Sequence, residues 1–434
     1  MDLIGCLDRP DMKDDEIVAL LLGKQRSSPL SLSDFEHLGD HLDHLKKLVQ
    51  SSVAAGKKGI NILLHGPAGS GKTELAAVLA KELGLKLYAV GEDDEDAAAI
   101  GSAKKGDTTG KKRMPHLSRS QALLREARDS ILLFDEIEDL LIKSGDSKKA
   151  ADTESKIGVN RMLEENPVVT IWTGNDPEKF HEAVRQRMSY SIYMDYPPTL
   201  VREKIWKRRL EMANCTLPDA DIRDLSRRYA APPRMISKAI ETLSIMQGGV
   251  ESVEESLRAA SKISFGQSDA LLIDDSIPAG FDLDYLNANV NLKGTFNRLD
   301  QAGKNKKPFS LLVEGKQGMG GVDFLRMMAE EMGMNPAEYN VADLVAPPPM
   351  MSPEMKVKSA FASAVDGRQF VILRGLENMV SNPRSSSTSE WNEPIAHLFA
   401  KEAMTHRLPL AVTLAGWVVM TVLAALATGP GLFW

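Results

Sequence analysis

The stretch "GPAGSGKT", Gly66 to Thr73, decides the fold of this chain. It follows the apolar run "INILLH" and precedes the helix-like "ELAAVLAKELG". Glycines at these positions allow backbone amides to turn inward, and the N-terminus of the following helix faces the same point. Both features attract phosphate. The stretch therefore predicts a phosphate-binding loop between a buried strand and a helix.

Two side chains of this loop carry specific chemistry. Lys72 can reach the β- and γ-phosphates of a nucleotide, and the hydroxyl of Thr73 can ligate Mg²⁺. The predicted nucleotide-binding residues are Gly66, Pro67, Ala68, Gly69, Ser70, Gly71, Lys72, Thr73 and Glu74.

A second motif, "ILLFDE" at Ile131–Glu136, supplies carboxylates at the end of another apolar strand. Asp135 is predicted to hold Mg²⁺, directly or through water, together with Thr73. Glu136 is predicted to polarise the attacking water. A solvated acidic run is the alternative, but it would need no apolar strand directly before it.

From residue 60 onward, apolar strands alternate with helical patterns, which is typical of an α/β fold with a parallel sheet. Strands give way to helices after "YPP", and a second strand–helix block follows a Gly-, Ser- and Pro-containing linker. The predicted segments are a lead-in at 1–30, an α/β core at 31–195, a helical lid at 196–265, a linker at 266–295, a second core at 296–417 and an apolar tail at 418–434.

The order of these motifs resembles that of AAA+ ATPases, P-loop NTPases with a parallel sheet and a helical lid. The resemblance covers residues 60 to about 245. It implies binding and Mg²⁺-dependent hydrolysis of ATP, a homo-oligomeric ring and the remodelling of a protein client. Asn175, which closes the third strand "VVTIWTGN", takes the place of the residue that orients the water or the γ-phosphate.

The same resemblance assigns roles to three arginines. Arg187 lies ten residues before Pro197, with Arg185 two residues earlier, where the family carries fingers that complete a neighbouring subunit's site. Arg234, in the lid segment "PPRMISKAI", takes the place of a residue that contacts the γ-phosphate. A surface salt bridge is the alternative for Arg187 and Arg185, and a solvated arginine at a helix N-terminus is the alternative for Arg234.

One family feature is missing from the sequence. Members that thread polypeptides carry an aromatic residue between the P-loop helix and the acidic strand, whereas this chain has no aromatic residue between Tyr88 and Phe134. The usual grip on a threaded polypeptide is therefore in doubt.

The second block repeats the glycine pattern in "GKQGMGGV", Gly315 to Val322, without its reactive residues. Aligned on the glycines, Gly321 replaces Lys72 and Val322 replaces Thr73. The strand "FVILRGLENM" places Arg374 at Asp135 and Gly375 at Glu136, and the next strand places Trp417 at Asn175. The block is interpreted as a degenerate second AAA+ core that does not hydrolyse ATP.

Bulk properties restrict the partners. The net charge of −7 over 434 residues makes nucleic acid an unlikely partner. Two cysteines and an acidic start without a basic segment and apolar core predict a cytoplasmic protein. Residues 408–427 form 20 consecutive uncharged residues, long enough for a membrane helix, and packing on the second core is the alternative.

The sequence thus predicts an ATP-hydrolysing AAA+ protein that remodels a protein partner. A nucleotide-dependent binding switch or loader with slow hydrolysis is the alternative, and a membrane-anchored scaffold is a third reading.

Overall fold

The fold was determined from a computed structural model. The structure describes residues 22, 25–90, 109–137, 151–177, 180, 182–246, 248–268, 270–273, 277–278, 281–305, 307–315, 318–345, 352–375, 398–399, 401–403, 405–406, 408–414 and 432–433.

Along the described residues, strands and helices alternate in two blocks that are separated by a run of helices after residue 193. The strands are β1 (Gln25–Arg26), β2 (Asn61–His65), β3 (Lys86–Val90), β4 (Ser130–Phe134), β5 (Thr170–Gly174), β6 (Tyr190–Tyr193), β7 (Ser310–Glu314), β8 (Pro336–Asn340), β9 (Phe370–Arg374), β10 (Leu410–Leu414) and β11 (Leu432–Phe433). The helices are α1 (Asp40–Ala55), α2 (Lys72–Glu82), α3 (Thr109–Leu123), α4 (Ala151–Glu164), α5 (Glu182–Arg185), α6 (Thr199–Met212), α7 (Asp219–Arg228), α8 (Pro233–Met246), α9 (Val250–Phe265), α10 (Leu292–Lys304), α11 (Gly321–Glu331), α12 (Val341–Val345) and α13 (Pro353–Asp366), with 3-10 helices at Leu32–Leu38 and Leu283–Tyr285.

The chain separates into two compact units, Met1–Asp195 and Tyr196–Trp434. In the first unit, the described strands form a six-stranded sheet in the order β1-β3-β4-β5-β2-β6. All neighbours are parallel except the short edge strand β1, which is antiparallel to β3. The predicted α/β fold with a parallel sheet is confirmed.

The strands β2, β4 and β5 are buried because both faces of this sheet are covered, as their continuous apolar runs predict. On one face, Leu64 packs with Leu45 of α1 and Leu75 of α2. On the other face, Phe134 and Trp172 lie with ring centroids 5.1 Å apart. The P-loop strand β2 is thus fixed at the centre of the core.

In the second unit, helices α6 to α9 pack around a core that includes Trp206, Tyr229, Ile236 and Leu257. Arg202 of α6 is buried and donates to the carbonyl oxygens of Ser226 and Pro197 and to the hydroxyl of Thr199. The buried guanidinium is therefore satisfied by hydrogen bonds, which is required for a charge at such a position.

A second sheet follows in the same unit, with the described strands in the parallel order β11-β7-β10-β9-β8. Read from the opposite edge, the first sheet has the order β6-β2-β5-β4-β3, followed by the edge strand β1. The five strands of the second sheet match these five positions one for one, so that β7 corresponds to β2 and β10 to β5. The pairing registers agree as well, since Leu64 pairs with Thr173 and Val313 pairs with Thr413.

The strand, loop and helix around the P-loop recur in the second sheet at positions 249 residues later, since α2 begins at Lys72 and α11 begins at Gly321. Helices α2 and α11 both have 11 residues and both begin after a left-handed glycine, Gly71 in one and Gly320 in the other. In the adjacent ladders, Phe134 pairs with Val90 and Leu373 pairs with Tyr339. Arg374 therefore stands at the register of Asp135, and Gly375 at that of Glu136.

Two elements of the structure lie within or across the predicted linker at 266–295. Helix α10 begins at Leu292 and crosses the predicted boundary between linker and second core, and Leu283–Tyr285 forms a 3-10 helix inside the predicted linker. Phe281, Leu283 and Leu286 pack against the core of the second sheet. Those residues join the second core because their apolar side chains gain from burial there.

Strand β10 occupies the front of the predicted apolar segment 408–427, and residues 415–427 lie outside the described residues. Trp417 also lies outside them. Leu414 pairs with Glu314 as Gly174 pairs with His65, whereas the sequence alignment that places Trp417 at Asn175 sets Leu414 against Trp172. Among the helices that the structure describes, none combines the length and the apolar character that a membrane crossing needs.

Candidate nucleotide site

The predicted phosphate-binding loop connects β2 to α2 at the carboxyl edge of the first sheet. Gly66 has φ 138°, and a Cβ atom there would lie 2.2 Å from the carbonyl oxygen of Met194, so only glycine fits. Its amide donates to the carbonyl oxygen of Gly174 over 3.2 Å. The loop is thereby held against the ends of β5 and β6, where ligands bind in open parallel sheets.

Lys72 is buried and folds back over its own loop. Its Nζ donates to the carbonyl oxygens of Gly66 and Pro67, over 2.8 and 2.9 Å, and to Oδ1 of Asn175 over 3.2 Å. The structure therefore brings Asn175 into contact with the lysine of the loop. Carbonyl oxygens are weaker partners for an ammonium than phosphate oxygens, so a nucleotide can recruit this charge.

Thr73 and Asp135 meet as the predicted metal pair. Oγ1 of Thr73 donates to Oδ2 of Asp135 over 3.1 Å. A hydroxyl and a carboxylate are oxygen donors suited to a hard cation such as Mg²⁺, which takes one or two carboxylates and completes its shell with phosphates and water. The described residues contain no group of three or more His, Cys, Asp or Glu that could hold a metal ion.

Glu136 follows Asp135 in a left-handed backbone conformation, with φ 56°. Its amide donates to Oγ1 of Thr173 over 3.1 Å, and the next amide, of Ile137, donates to the carbonyl oxygen of Thr173 over 2.9 Å. The same hydroxyl of Thr173 donates to Oδ1 of Asp135. A buried threonine on β5 thus contacts both acidic residues, a role that the sequence analysis missed.

The other loop residues differ in their surroundings. Ser70 is buried, and its hydroxyl has no hydrogen-bond partner among the described residues. Such a hydroxyl is able to donate to a phosphate oxygen of a bound nucleotide. Glu74 accepts a 2.6 Å hydrogen bond from the hydroxyl of Ser28, and its contact with a nucleotide stays a prediction. Pro67, Ala68 and Gly69 form the turn of the loop, and Gly69 has φ 80°.

The two arginines predicted to act as fingers differ in burial and in their contacts. Arg187 is half-buried: its guanidinium pairs with Glu164 at the end of α4, over 2.6 and 2.8 Å, and donates to the carbonyl oxygen of Ala183 over 2.6 Å. Arg185 ends α5 with an exposed side chain that has no ion-pair partner within the described residues. The sequence did not predict the part played by Glu164.

The side chain of Asn61, on β2, holds the turn that carries these arginines. The buried amide of Asn61 donates to the carbonyl oxygens of Leu163 and Arg187, over 2.8 and 3.3 Å, and accepts from Nε1 of Trp172. Because an unpaired buried amide is costly, this network fixes the turn relative to the sheet.

Arg234 lies exposed in the first turn of α8, in the second compact unit. Its role toward a nucleotide stays a prediction.

The equivalent position in the second sheet lacks this chemistry. Gly321 and Val322 begin α11 in the register of Lys72 and Thr73. Arg374 stands in the register of Asp135 and donates to Glu338 over 3.2 Å. A guanidinium at this position repels Mg²⁺ instead of binding it.

Comparison with known proteins agrees with this geometry. Residues 62–196 match the family model described as "ATPase family associated with various cellular activities (AAA)". Residues 62–196 are therefore similar to an AAA domain, and they are called the AAA domain below. The AAA match ends where the first compact unit ends, and the second sheet lies outside it.

Curated relatives share this part of the chain at low identity. Spastin of Anopheles gambiae is 28% identical over 38% of this chain and 20% of its own length. Vacuolar protein sorting-associated protein 4 of Dictyostelium discoideum is 23% identical over 50% of this chain and 46% of its own length. The ATP-dependent zinc metalloprotease FtsH of Lachnoclostridium phytofermentans is 26% identical over 47% of this chain and 35% of its own length. The chain thus spans less than half the length of these relatives.

Proposed function

We propose that the AAA domain binds ATP with Mg²⁺, hydrolyses it and couples turnover to the remodelling of a protein client. The observation that carries this proposal is the convergence of Lys72, Thr73, Asp135 and Asn175 at one edge of the first sheet. The match of residues 62–196 to the AAA model supports it, because that model describes ATPases.

Each residue has a defined task in this proposal. Lys72 leaves its loop carbonyls to bind the β- and γ-phosphates, and Thr73 and Asp135 hold the cation. Mg²⁺ bound there neutralises charge on the phosphates. Glu136 accepts a proton from the attacking water, and Asn175 orients that water or the γ-phosphate.

The second sheet contributes no hydrolysis in this proposal. Its strand order and registers support a degenerate second AAA core, because they repeat those of the first sheet. It offers no lysine, no hydroxyl and no carboxylate at the three positions that Lys72, Thr73 and Asp135 occupy. Charges at fixed points are what phosphoryl transfer depends on.

The first experiment measures ATP turnover of the full chain against Mg²⁺ concentration. Lys72→Ala should bring turnover to background at every Mg²⁺ concentration, because it removes the phosphate-binding cation and the second sheet has no substitute. Glu136→Gln should retain ATP binding and lower turnover at least ~100-fold. Mg²⁺-dependent turnover that persists in Lys72→Ala would contradict the proposal of an inactive second core.

The Glu136→Gln chain also serves to identify the client, because it holds the ATP-bound state. Co-purification of a protein with this variant in ATP, and its loss in ADP, is the expected result. The names of the relatives, which include a sorting-associated protein and a protease, support a protein client.

A binding switch or loader with slow hydrolysis is the second candidate, favoured by the missing aromatic residue between Tyr88 and Phe134. Turnover that a client does not accelerate, together with client release on hydrolysis, would favour the switch. The homo-oligomeric ring, in which an arginine of one subunit completes the site of the next, is part of both candidates.

A further inference from the structure

We infer that Thr173 is a positioning residue for the metal and the attacking water, acting through Asp135 and Glu136. The inference rests on the proposed function and assigns a role within the same site. It draws on three contacts that one residue makes with the carboxyl end of the neighbouring strand.

The first contact fixes the metal ligand. Asp135 has two carboxylate oxygens: Oδ2 accepts from Thr73, and Oδ1 accepts from the hydroxyl of Thr173. One oxygen is therefore directed toward the P-loop because the other is held by β5. Outer partners of this kind orient a metal-binding carboxylate.

The other two contacts fix the backbone of Glu136. Its left-handed conformation is unfavourable by about 1–2 kcal/mol for a residue with a side chain. The hydroxyl and the carbonyl oxygen of Thr173 accept from the amides of Glu136 and Ile137 and so hold this conformation. A non-glycine residue kept in such a conformation next to a catalytic motif indicates a functional constraint.

The position of Thr173 makes these contacts specific to its hydroxyl. Thr173 is 1% exposed, so water cannot replace the hydroxyl if it is removed. Its carbonyl contact is made by the backbone and survives substitution. Valine has nearly the same shape, so Thr173→Val isolates the hydroxyl from the packing.

The test compares Thr173→Val with two controls in the full chain. Thr173→Ser keeps the hydroxyl, and Thr413→Val makes the same change at the equivalent register of the second sheet. Turnover at saturating ATP gives kcat and KM, and calorimetric titration of Mg²⁺ in the presence of a non-hydrolysable ATP analogue gives the cation affinity without turnover.

Thr173→Val should lower kcat and weaken Mg²⁺ binding by about 10- to 100-fold each, the range found for outer partners of metal ligands. The affinity for the analogue in EDTA should stay unchanged, because Lys72 and the loop are intact. Thr173→Ser should restore both values to within about 3-fold, and Thr413→Val should match the wild type.

Normal kcat and Mg²⁺ affinity in Thr173→Val would overturn the inference, and so would equal impairment of the serine and valine variants. If Thr173→Val does not fold, Thr173→Ala removes the hydroxyl without adding bulk, and the same comparison applies. A wild type that binds Mg²⁺ with the analogue yet hydrolyses nothing overturns the proposed function, and calorimetry alone then decides the inference.

Discussion

Glu136 and Gly375 occupy the same register of the two sheets and share a left-handed backbone, with φ 56° and 74°. In the second sheet this residue is a glycine, which adopts a left-handed conformation without strain. In the AAA domain it is a glutamate, which does so only at a cost in stability. The site thus keeps an acid where the backbone favours glycine, as expected where chemistry and stability oppose each other.

Glu136→Gly should therefore abolish turnover and at the same time stabilise the nucleotide-free chain. Relief of the left-handed strain outweighs the added entropy of glycine in the unfolded chain, so the free energy of unfolding should rise by up to about 1 kcal/mol. Thermal denaturation without nucleotide measures this as a rise of about 2–4 °C.

Two matched variants control this comparison. Glu136→Gln keeps the strain and should denature at the wild-type temperature, although it is equally inactive. Gly375→Ala introduces the strain in the second sheet and should lower the free energy of unfolding by about 1 kcal/mol. A Glu136→Gly chain that is less stable than the wild type would show that the glutamate stabilises the loop.

At the scale of elements, α5 and the turn to β6 present two arginines with different attachments. The ion pair of Arg187 with Glu164 and its bond to Ala183 tie α4 to α5 within one subunit. Arg185 is exposed at the end of α5. The geometry favours Arg185 for a role toward a neighbouring subunit and Arg187 for holding the turn.

Arg185→Ala should bind ATP and denature at the wild-type temperature yet lose most of its turnover. Mixing it with Lys72→Ala subunits should restore part of the activity, because each variant supplies the group that the other lacks. Arg187→Ala, in contrast, should lower the free energy of unfolding, by no more than about 1 kcal/mol because its ion pair with Glu164 is partly exposed.

The mixing experiment separates the two arginines. Activity that recovers with Arg187→Ala and not with Arg185→Ala would assign the finger to Arg187 and contradict the preference for Arg185. Glu164→Gln, which frees Arg187 without removing it, should then retain full turnover.

The sequence predicted the elements of the AAA domain well where a motif combined with an apolar strand. Gly66–Thr73 and Asp135 lie where predicted because each motif directly follows a buried strand that fixes its place at the sheet edge. The role of Thr173 was missed because a threonine inside an apolar run is indistinguishable from an ordinary strand residue. Its distance of two residues from Asn175 was the only signal.

Other differences arose from contacts between distant parts of the chain. Apolar patterns alone do not fix the register of a buried strand, and the sequence alignment of β10 with β5 is displaced by two residues for that reason. The hydrogen bond of Glu74 with Ser28, 46 residues away in the chain, was also not predicted.

At the scale of the whole molecule, the second compact unit unites the four helices α6 to α9 with the second sheet domain. Arg227 of α7 donates from Nε to both carboxylate oxygens of Glu330 of α11, over 2.9 and 3.1 Å. Near the start of the unit, Asn335 donates to the carbonyl oxygen of Tyr196 over 2.8 Å. The segment from Tyr196 through α9 is thus attached to the second sheet domain by polar contacts of Arg227 and Asn335.

The two ends of the Arg227–Glu330 pair differ in exposure, which predicts an asymmetric response to mutation. The side chain of Glu330 is 9% exposed, whereas that of Arg227 is 34% exposed. Arg227→Met leaves a buried carboxylate without its cation and should destabilise the chain by about 2–3 kcal/mol, somewhat less than a fully buried pair. Glu330→Gln leaves a guanidinium that water can reach, so the loss should stay below about 1 kcal/mol.

Urea denaturation of both variants measures this difference, and the double variant gives the coupling between the two side chains. Lys238→Met serves as the control, because its pair with Glu241 is 70% and 58% exposed and should contribute less than about 0.5 kcal/mol. Equal losses in Arg227→Met and Glu330→Gln would contradict the argument from burial. The expected asymmetry, with a coupling above about 0.5 kcal/mol, would show that this contact stabilises the packing of α7 against α11.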